Sequence, residues 1–285
     1  MDYLILGSTG LLGKTLLTTA KERNLEVLGL SRKTKKYKIN YFKINNLLKI
    51  LEYLKPKIII NSVGLVDIDF CEKKSKIAEK INALPLKYLS KFSKKNNIKL
   101  VQISTDHFFT GDQNRKHKEN SKIKILNTYA KTKFLAEKYT KLNKNHIIIR
   151  TNFTGYRNKT NNQTFIEWLL ENLKKKKNFY LFDDFYCSTI DIKSLSNVIF
   201  DLIDLDFKGT INIGSRDTFS KKKFAIRVAD ILKLDKDLIL EGSVKSLKTK
   251  RAESLGLDVT KVERILKYKM PSLKKVCENL VKNKK

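Results

Sequence analysis

A tyrosine and a lysine four residues apart could together deliver a proton to a reacting carbonyl. The pair is Tyr129 and Lys133, in the stretch NTYAKTKFLAEKY at residues 127–139, where the spacing of apolar residues predicts a helix. On a helix the two side chains lie one turn apart on the same face. A free phenol has a pKa of about 10, and a neighbouring ammonium favours the phenolate. The lysine would therefore help the tyrosine to act as a general acid.

Spacing alone does not single out this pair, because lysine is so common in the chain. The sequence contains 51 lysines and 11 tyrosines, so about two Tyr-x-x-x-Lys matches are expected by chance. It contains two, the second being Tyr53 with Lys57, where Pro56 predicts that the helix has already ended. The elements that surround each pair must therefore decide between them.

A glycine-rich turn near the start of the chain predicts a dinucleotide site. GSTGLLG, residues 7–13, lies between a predicted strand at 3–7 and a predicted helix at 11–23. The first glycine permits a sharp turn, the second lets the backbone approach a pyrophosphate, and the third lets the helix pack close to the sheet. The residues expected to contact the cofactor here are Gly7, Thr9, Gly10, Leu11, Leu12 and Gly13.

The end of the second predicted strand favours NADPH over NADH. An acidic residue at this point would bind the ribose 2′-hydroxyl of NADH, whereas a basic residue accommodates the 2′-phosphate of NADPH. The sequence is GLSRKTKK, with Ser31, Arg32 and Lys33 and no acid nearby. Because Arg32 and Lys33 can also belong to the general excess of lysine and arginine, NADH stays the alternative.

Short apolar runs alternate with amphipathic stretches in the first half of the chain, which predicts a parallel sheet with crossover helices. The predicted strands are 3–7, 25–31, 37–44, 57–64, 98–105 and 146–152. The predicted helices between them are 11–23, 46–54, 75–96 and 125–142. The predicted fold class is α/β, a Rossmann-type doubly wound parallel sheet with a small C-terminal substrate-binding lobe.

The regular alternation of predicted strands and helices changes after about residue 152. Helices are predicted at 165–174 and 192–205, a strand at 209–215, and a further helix for which Ser220 is the N-cap. We predict an NADP-binding Rossmann domain at 1–152. The remainder, 153–285, is predicted to form a substrate-binding lobe that is interleaved with the last strands and helices of the Rossmann domain.

The formal net charge of +31 is the strongest compositional feature, and it would suit a nucleic acid or another polyanion. The lysines are spread along the chain and no nucleic-acid-binding motif is present, so a solvated lysine-rich surface is the favoured interpretation. Three scattered cysteines and three scattered histidines predict neither a disulfide framework nor a metal site. Without a long apolar run or a signal-like N-terminus, we expect a cytoplasmic protein with no membrane partner.

Seven sequence blocks follow one another along most of the chain. They are GSTGLLG (7–13), NSVGLVDIDFCE (61–72), INALP (81–85), STDHFFTGD (104–112), TYAKTKFLAE (128–137), IIIRTNFTG (147–155) and TINIGSRDTFSKKKFA (210–225). Their order and spacing resemble the extended short-chain dehydrogenase/reductases, and within them the dTDP-4-dehydrorhamnose reductase family of sugar-nucleotide reductases. The most specific signal is STDHFFTGD followed by the Tyr-x-x-x-Lys pair.

This resemblance implies that a nicotinamide cofactor delivers hydride to a carbonyl of a nucleotide sugar. The catalytic residues carried over from the family are Thr105, Tyr129 and Lys133. Tyr129 would be the general acid, and Thr105, with Ser104 as the fallback, would hydrogen-bond the carbonyl oxygen. Lys133 would support the tyrosine and also bind the hydroxyls of the nicotinamide ribose.

The resemblance implies further contacts on both ligands. Cofactor contacts are expected at Asn61, Val63, Gly64 and Lys133, beside Ser31 and Arg32, and Asn82 matches an asparagine of the family. Substrate contacts are expected at Ser104, Asp106, His107, Asn152 and Phe153, with Arg150 close by in sequence. Strand-end capping by the asparagines and core packing of Phe153 are the alternatives.

Departures from the family pattern fall on the substrate side. His107 replaces a frequent Tyr, Thr189 a frequent Pro, and Arg251 is followed by Ala252 rather than Pro. Leu65 and Val66 likewise replace a common Tyr-Thr. We therefore expect that the reduction chemistry is retained, whereas the sugar, or the nucleotide that carries it, can differ from dTDP-4-dehydrorhamnose.

The expected function is NAD(P)H-dependent reduction of a keto-sugar nucleotide, dTDP-4-dehydrorhamnose or a related 4-keto sugar, in surface polysaccharide biosynthesis. One alternative is a sugar-nucleotide epimerase or dehydratase of the same fold, which returns the hydride to its substrate. Another is a non-catalytic NADP-binding regulatory subunit, which the intact Thr, Tyr and Lys argue against. The expected partner is a nucleotide-sugar substrate, with a homodimer as a further option and no specific nucleic acid.

Overall fold

The computed structural model of the chain describes residues 1–34, 37–41, 43–111, 115–158 and 163–283. The strands among them are β1 (Tyr3–Leu6), β2 (Val27–Leu30), β3 (Ile58–Asn61), β4 (Lys99–Ile103), β5 (Lys116–His117), β6 (His146–Thr151), β7 (Phe153–Thr154), β8 (Phe179–Phe182), β9 (Tyr186–Cys187), β10 (Ile190–Asp191), β11 (Gly209–Ile213), β12 (Phe219–Ser220), β13 (Ile239–Gly242) and β14 (Ser254–Leu257). The helices are α1 (Leu11–Glu22), α2 (Ile44–Leu54), α3 (Ile68–Lys73), α4 (Ser75–Asn82), α5 (Leu84–Lys95), α6 (Thr128–Thr140), α7 (Phe165–Lys174), α8 (Ile192–Asp204), α9 (Lys221–Leu232), α10 (Thr260–Leu266) and α11 (Leu273–Lys282).

A central sheet of six strands runs in the order β11-β6-β4-β3-β1-β2. β1 pairs in parallel with β2 on one side and with β3 on the other, and β4 pairs in parallel with β3 and with β6. The winding direction therefore reverses at β1, and sheets of this kind bind ligands at the carboxyl ends of the strands beside such a point. The doubly wound parallel sheet predicted from the sequence is confirmed.

Apolar composition explains why these strands lie inside the protein. β1 and β4 are buried along their whole length, and Leu4, Ile59 and Leu100 belong to one hydrophobic cluster. Strands that are covered by helices on both faces read as nearly continuous apolar runs, as these do. Gln102, near the end of β4, is a polar side chain that is nevertheless fully buried.

The chain divides into two compact units. The first comprises 1–105, 125–150 and 196–211, and it contains β1 to β4 and α1 to α6. The second comprises 106–124, 151–195 and 212–285, and it contains the small sheets β12-β9-β14-β5, β10-β7 and β13-β8. The predicted division at residue 152 and the roles predicted for the two parts stay predictions.

One predicted strand is wrong. Residues 37–44 were expected to pair in the sheet, but the described part of this segment makes only an isolated bridge from Lys38 to Ser31, and α2 already begins at Ile44. Its alternating pattern has another cause, because Ile39 and Tyr41 turn their side chains into the core from a segment that belongs to no strand. Phe42 lies outside the described residues.

The helix predicted at 75–96 is two helices. α4 ends at Asn82 and α5 begins at Leu84, with Pro85 in its first turn. Proline is tolerated there because the first N–H groups of a helix have no partner within it, whereas inside a helix it would break a hydrogen bond. The sequence reading also missed α3, whose N-cap Asp67 accepts a hydrogen bond from the Phe70 N–H at 2.9 Å.

The predicted helices of the second half are confirmed in position. α7 spans the predicted residues, α8 begins where expected, and the Ser220 Oγ accepts a hydrogen bond from the Lys223 N–H at 3.0 Å as the N-cap of α9. Within the described ranges, none of the helices combines the length and the apolar character that a membrane span requires.

Candidate functional site

The turn after β1 is shaped by its glycines. Gly7 has a φ of +86°, in the left-handed region that other residues rarely adopt, and its carbonyl accepts the Gly10 N–H at 2.9 Å. A Cβ on Gly13 would lie 2.2 Å from the Gly7 oxygen, so only glycine lets α1 start this close to the turn. Gly10, the N-cap of α1, has no side chain to satisfy the first N–H groups of the helix. These N–H donors suit phosphate oxygens. Because the exposed Gly10 has no Cβ, the space in front of them is open to a pyrophosphate.

The other predicted residues of this turn divide between surface and core. Thr9 is exposed and Leu11 is half-buried, so both can face a ligand. The Leu12 side chain is buried in the core. Leu12 can therefore contribute to a phosphate site through its backbone N–H alone.

The segment after β2 presents a free cationic side chain. The Ser31 Oγ accepts the Lys33 N–H at 3.0 Å, which shapes a tight turn. Arg32 is exposed, and its guanidinium forms no ion pair or hydrogen bond with the residues that the structure describes. Lys35 and Lys36 lie outside the described residues. An exposed guanidinium that follows directly after β2 is suited to bind a 2′-phosphate.

The loop after β3 runs beside the glycine turn and beside Lys133. A Cβ on Gly7 would lie 2.9 Å from the Val63 Cγ2 atom, and a Cβ on Gly64 would lie 4.0 Å from the Lys133 Nζ atom. The Asn61 side chain is buried, and its Oδ1 atom accepts the Tyr41 hydroxyl at 2.6 Å. Asn61 therefore supports this loop from inside, while Val63 and Gly64 form its outer part.

Asn82 fastens the same loop to two helices. Its Oδ1 atom accepts the Leu65 N–H at 2.7 Å, and its Nδ2 atom donates to the Leu65 carbonyl at 3.0 Å and to the Thr132 hydroxyl at 3.1 Å. Both backbone groups of Leu65 are thereby fixed. The single asparagine of α4 thus ties the loop to α6, the helix that carries Tyr129 and Lys133.

Tyr129 and Lys133 lie one turn apart on the buried face of α6. The helix starts at an N-cap, Asn127, whose Oδ1 atom accepts the Ala130 N–H at 2.9 Å. Tyr129 is 8% exposed and packs in a cluster with Ile68 and Cys71. Lys133 is 5% exposed, and its Nζ atom donates to the Ile103 carbonyl, at the end of β4, at 2.6 Å.

Burial makes Lys133 an unusual lysine. It lowers the pKa of Lys133 to about 8, and the nearby Glu137 carboxylate opposes this by favouring the ammonium. A lysine with this pKa is cationic at neutral pH but can lose its proton slightly above it. Perturbed groups of this kind concentrate at functional sites.

The second Tyr-x-x-x-Lys pair is at the surface. Tyr53 is 75% exposed, and α2 ends at Leu54, before Pro56. Lys57 is exposed and pairs with Asp2 at 2.8 Å. The structure thus separates the two pairs that spacing alone could not.

The residues that follow β4 are held by a buried ion pair. The Ser104 hydroxyl donates to Glu137 at 2.6 Å, and Glu137 is paired with Arg150 of β6 at 2.8 Å. Ser104 is therefore engaged by a carboxylate, and Thr105, the next residue, is buried. Arg150 is likewise engaged inside the protein. The sequence reading missed Glu137, although its position one turn beyond Lys133 was a usable signal.

In the second unit, the predicted substrate residue His107 lies in a cationic and aromatic setting. Burial, together with the charges of Arg251 and Lys221, lowers the pKa of His107 to about 3, so its ring is neutral. The Asp106 carboxylate lies 3.9 Å from the His107 ring nitrogen Nε2, and the Phe185 ring lies 6.3 Å from the His107 ring, centre to centre. Sequence reasoning assigned no role to Lys221, although it lies in the last of the seven sequence blocks, and it missed Phe185, which lies outside all of them.

Asn152 and Phe153 also belong to the second unit. The Asn152 Oδ1 atom accepts the Thr189 hydroxyl at 2.9 Å, and the Asn152 carbonyl accepts the Ile190 N–H at 2.9 Å. Thr189, one of the departures from the family pattern, therefore anchors a predicted substrate residue. Phe153 is half-buried in β7, paired with Ile190 of β10.

Comparison with known proteins gives a consistent result. The family model described as RmlD substrate binding domain matches residues 1–285. The probable low-salt glycan biosynthesis reductase Agl14 of Haloferax volcanii is 22% identical, over 96% of this chain and 95% of its own length. The dTDP-4-dehydrorhamnose reductase of Salmonella typhimurium is 27% identical, over 65% of this chain and 61% of its own length. The crystal structure of dTDP-4-dehydrorhamnose reductase from Bacillus anthracis in complex with NADP has a TM-score of 0.88 at 23% identity and covers 99% of both chains, which shows the shared fold.

Replacing Gly13 by alanine tests the close packing of the glycine turn. In an open helix Gly→Ala would stabilise the protein by up to about 1 kcal/mol, but here the new Cβ would press on the Gly7 carbonyl. We expect Gly13→Ala to lower the free energy of unfolding by about 1–3 kcal/mol, measured by urea denaturation without cofactor. Lys14→Ala, at the exposed next position of α1, is the control and should change it little. A stabilised Gly13→Ala protein would show that the turn is not packed in this way.

Proposed function

The chain belongs to the family described as RmlD substrate binding domain, and from this premise we propose that it is an NADPH-dependent reductase of a keto-sugar nucleotide. The proposed substrate is dTDP-4-dehydrorhamnose or a related 4-keto sugar, and the proposed role is the synthesis of a surface polysaccharide. One observation carries the proposal above all. Of two Tyr-x-x-x-Lys pairs, the one that follows Ser104 and Thr105 in the chain is buried on α6 with its lysine bound to the end of β4.

The names of the relatives support the same class of reaction. Two of the proteins reported above are dTDP-4-dehydrorhamnose reductases, and the third is a probable reductase of glycan biosynthesis. The Bacillus anthracis protein was crystallised with NADP. This agrees with the position of the exposed Arg32 at the end of β2, because folds of this type meet the 2′-phosphate of NADPH at that point.

The residues of the chain divide the work of reduction between them. When bound, NADPH supplies hydride to the carbonyl carbon. The first N–H groups of α1 hold its pyrophosphate, Arg32 its 2′-phosphate, and Lys133 the hydroxyls of its nicotinamide ribose. Thr105 holds the carbonyl oxygen, and Tyr129 donates the proton that this oxygen needs.

The charge on Lys133 supports the proton transfer. A cationic lysine one turn from Tyr129 stabilises the phenolate that forms as the proton leaves. Because burial removes water from Lys133, this electrostatic effect is stronger than it would be at the surface. The Glu137 carboxylate, itself paired with Arg150, keeps the lysine charged near neutral pH.

The remaining parts of the proposal concern partners and location. We place the reaction in the cytoplasm, with the nucleotide sugar and NADPH as the binding partners and a homodimer as the assembly. The second unit carries the residues proposed to contact the sugar nucleotide, His107, Asn152 and Phe153. His107, and Thr189 beside Asn152, depart from the family pattern, which leaves the identity of the sugar open to selection by this unit.

Arg32 provides the test of the cofactor. The wild-type protein should have a higher kcat/KM for NADPH than for NADH. Loss of a hydrogen-bonded charge pair costs about 1.5–3 kcal/mol, so Arg32→Ala should lower kcat/KM for NADPH by about tenfold to a hundredfold and leave NADH nearly unchanged. Lys38→Ala, an exposed lysine in the same segment, controls for general electrostatic attraction. An equal loss with both cofactors, or a native preference for NADH, would refute the assignment.

Tyr129 provides the test of the chemistry. Tyr129→Phe removes one hydroxyl and should lower kcat by at least about a hundredfold, the size of a general acid's contribution, while NADPH binding is retained. Consumption of NADPH with a 4-keto-sugar nucleotide is the assay, and net consumption also separates a reductase from an epimerase. The matched control is Tyr53→Phe, in the exposed Tyr-x-x-x-Lys pair, which should keep full activity. A Tyr129→Phe protein with the native rate would rule out this mechanism.

A further inference from the structure

A chain of buried polar side chains crosses the ends of β3 and β4. The Tyr41 hydroxyl donates to the Asn61 Oδ1 atom at 2.6 Å, and the Asn61 Nδ2 atom donates to the Gln102 Oε1 atom at 2.7 Å. The Gln102 Nε2 atom then donates to the Ile103 carbonyl at 2.6 Å. The same carbonyl accepts the Nζ atom of Lys133 at 2.6 Å. The polar chain thus ends on the atom that holds the proposed catalytic lysine.

The topology of the sheet explains why this carbonyl is available. The Ser104 N–H donates to the Ile149 carbonyl of β6. The carbonyl of one residue and the N–H of the next point in opposite directions, so the Ile103 carbonyl faces β3. β3 has already ended at Asn61, opposite Gln102, and the next N–H that would face β4, that of Val63, donates instead to the Asn61 Oδ1 atom at 3.4 Å. The Ile103 carbonyl has therefore lost its partner in the sheet. Gln102 and Lys133 supply the two donors that its two lone pairs accept.

The orientation of each amide in the chain is determined by its neighbours. Burial raises the pKa of Tyr41 far above its usual range, so its hydroxyl stays protonated and acts as a donor. The Ile103 carbonyl can only accept, so Gln102 donates to it with its nitrogen and accepts from Asn61 with its oxygen. The Asn61 oxygen then faces the Tyr41 hydroxyl, and it also accepts the Val63 N–H at 3.4 Å. A buried amide that was turned the other way would leave polar atoms unpaired, which is costly.

We propose that Gln102 is a positioning residue, which fixes the Ile103 carbonyl as the acceptor for the Lys133 ammonium. Asn61 and Tyr41 hold the Gln102 amide in the orientation that this requires. The inference rests on the proposed function, because it gives Lys133 a catalytic task. Gln102 itself is fully buried and acts through the lysine.

The other groups that face Lys133 do not depend on Gln102. On α6 these are Tyr129 and Glu137, and Glu137 is paired with Arg150 of β6. Cys71 of α3 packs against Tyr129, and burial raises the pKa of its thiol to about 11, so it is neutral. A substitution at Gln102 leaves all of these in place. Any change in the titration of Lys133 then reports on the carbonyl.

The test is the titration of Lys133 in the full-length protein, followed by NMR after labelling the lysine side chains with carbon-13. Lys133→Met identifies the resonance. In the native protein it should titrate far below the other lysines, near the pKa of about 8 that burial gives it. Gln102→Met keeps the length of the side chain and removes the amide. The Ile103 carbonyl then loses one of the two donors that hold it in place, so it is a less firmly positioned acceptor for the ammonium. We expect the pKa of Lys133 to fall by about one further unit, and kcat to fall with it.

The matched control is Asn143→Leu. Asn143 is a buried amide whose Nδ2 atom donates to the Ile98 carbonyl at 2.9 Å, beside the opposite end of β4. This variant should also lower the melting temperature, but it should leave the pKa of Lys133 unchanged. A role of Gln102 in stability alone predicts that both variants behave like the control.

An unchanged or raised pKa of Lys133 in Gln102→Met would overturn the proposal. If that variant does not fold, Tyr41→Phe, which removes only the hydroxyl at the far end of the chain, should lower the pKa in the same direction by a smaller amount. No change in a folded Tyr41→Phe protein would then overturn it. Because the titration needs neither cofactor nor substrate, it gives its answer even if the proposed reaction is wrong.

Discussion

The burial of one ammonium group is the constraint on which the rest of the site depends. Lys133 lies inside the protein, where a charge without partners would be very unfavourable. The structure meets this cost with the Ile103 carbonyl, at 2.6 Å, and with the Glu137 carboxylate one helical turn away. The balance leaves Lys133 with a pKa of about 8. The lysine can thus be charged at neutral pH and still sit in a dry environment beside Tyr129.

Several features of the fold follow from this requirement. β3 ends before β4, so that a carbonyl of β4 is left for the lysine. Asn82 fixes the loop after β3 to α6, and the pair of Glu137 with Arg150 ties α6 to β6. These contacts hold the lysine on the same edge of the sheet as the glycine turn. The sheet edge that binds the phosphates in folds of this type therefore also carries the acid and its charged partner.

Much of this could be predicted from the sequence, because periodicity and glycine spacing are local signals. They located β1, α1, the glycine turn and α6, and the order of the motif blocks selected Tyr129 over Tyr53. They failed where tertiary contacts decide, as in residues 37–44, which alternate because Ile39 and Tyr41 enter the core rather than because they pair in a sheet. The hydrogen-bonded chain of Tyr41, Asn61 and Gln102 could not be predicted for the same reason. A buried glutamine has no signature in the sequence, and its role depends on where β3 ends.

The pH dependence of kcat/KM, measured with NADPH and a 4-keto-sugar nucleotide between about pH 6 and 10, tests the account most directly. Lys133 is charged below its pKa of about 8 and neutral above it, so the account predicts a plateau at neutral pH and a decline that begins near pH 8. An ordinary exposed lysine, with a pKa of about 10.4, would move this decline more than two units higher. A rate that stays constant up to pH 10 would contradict the claim that a buried ammonium governs the reaction.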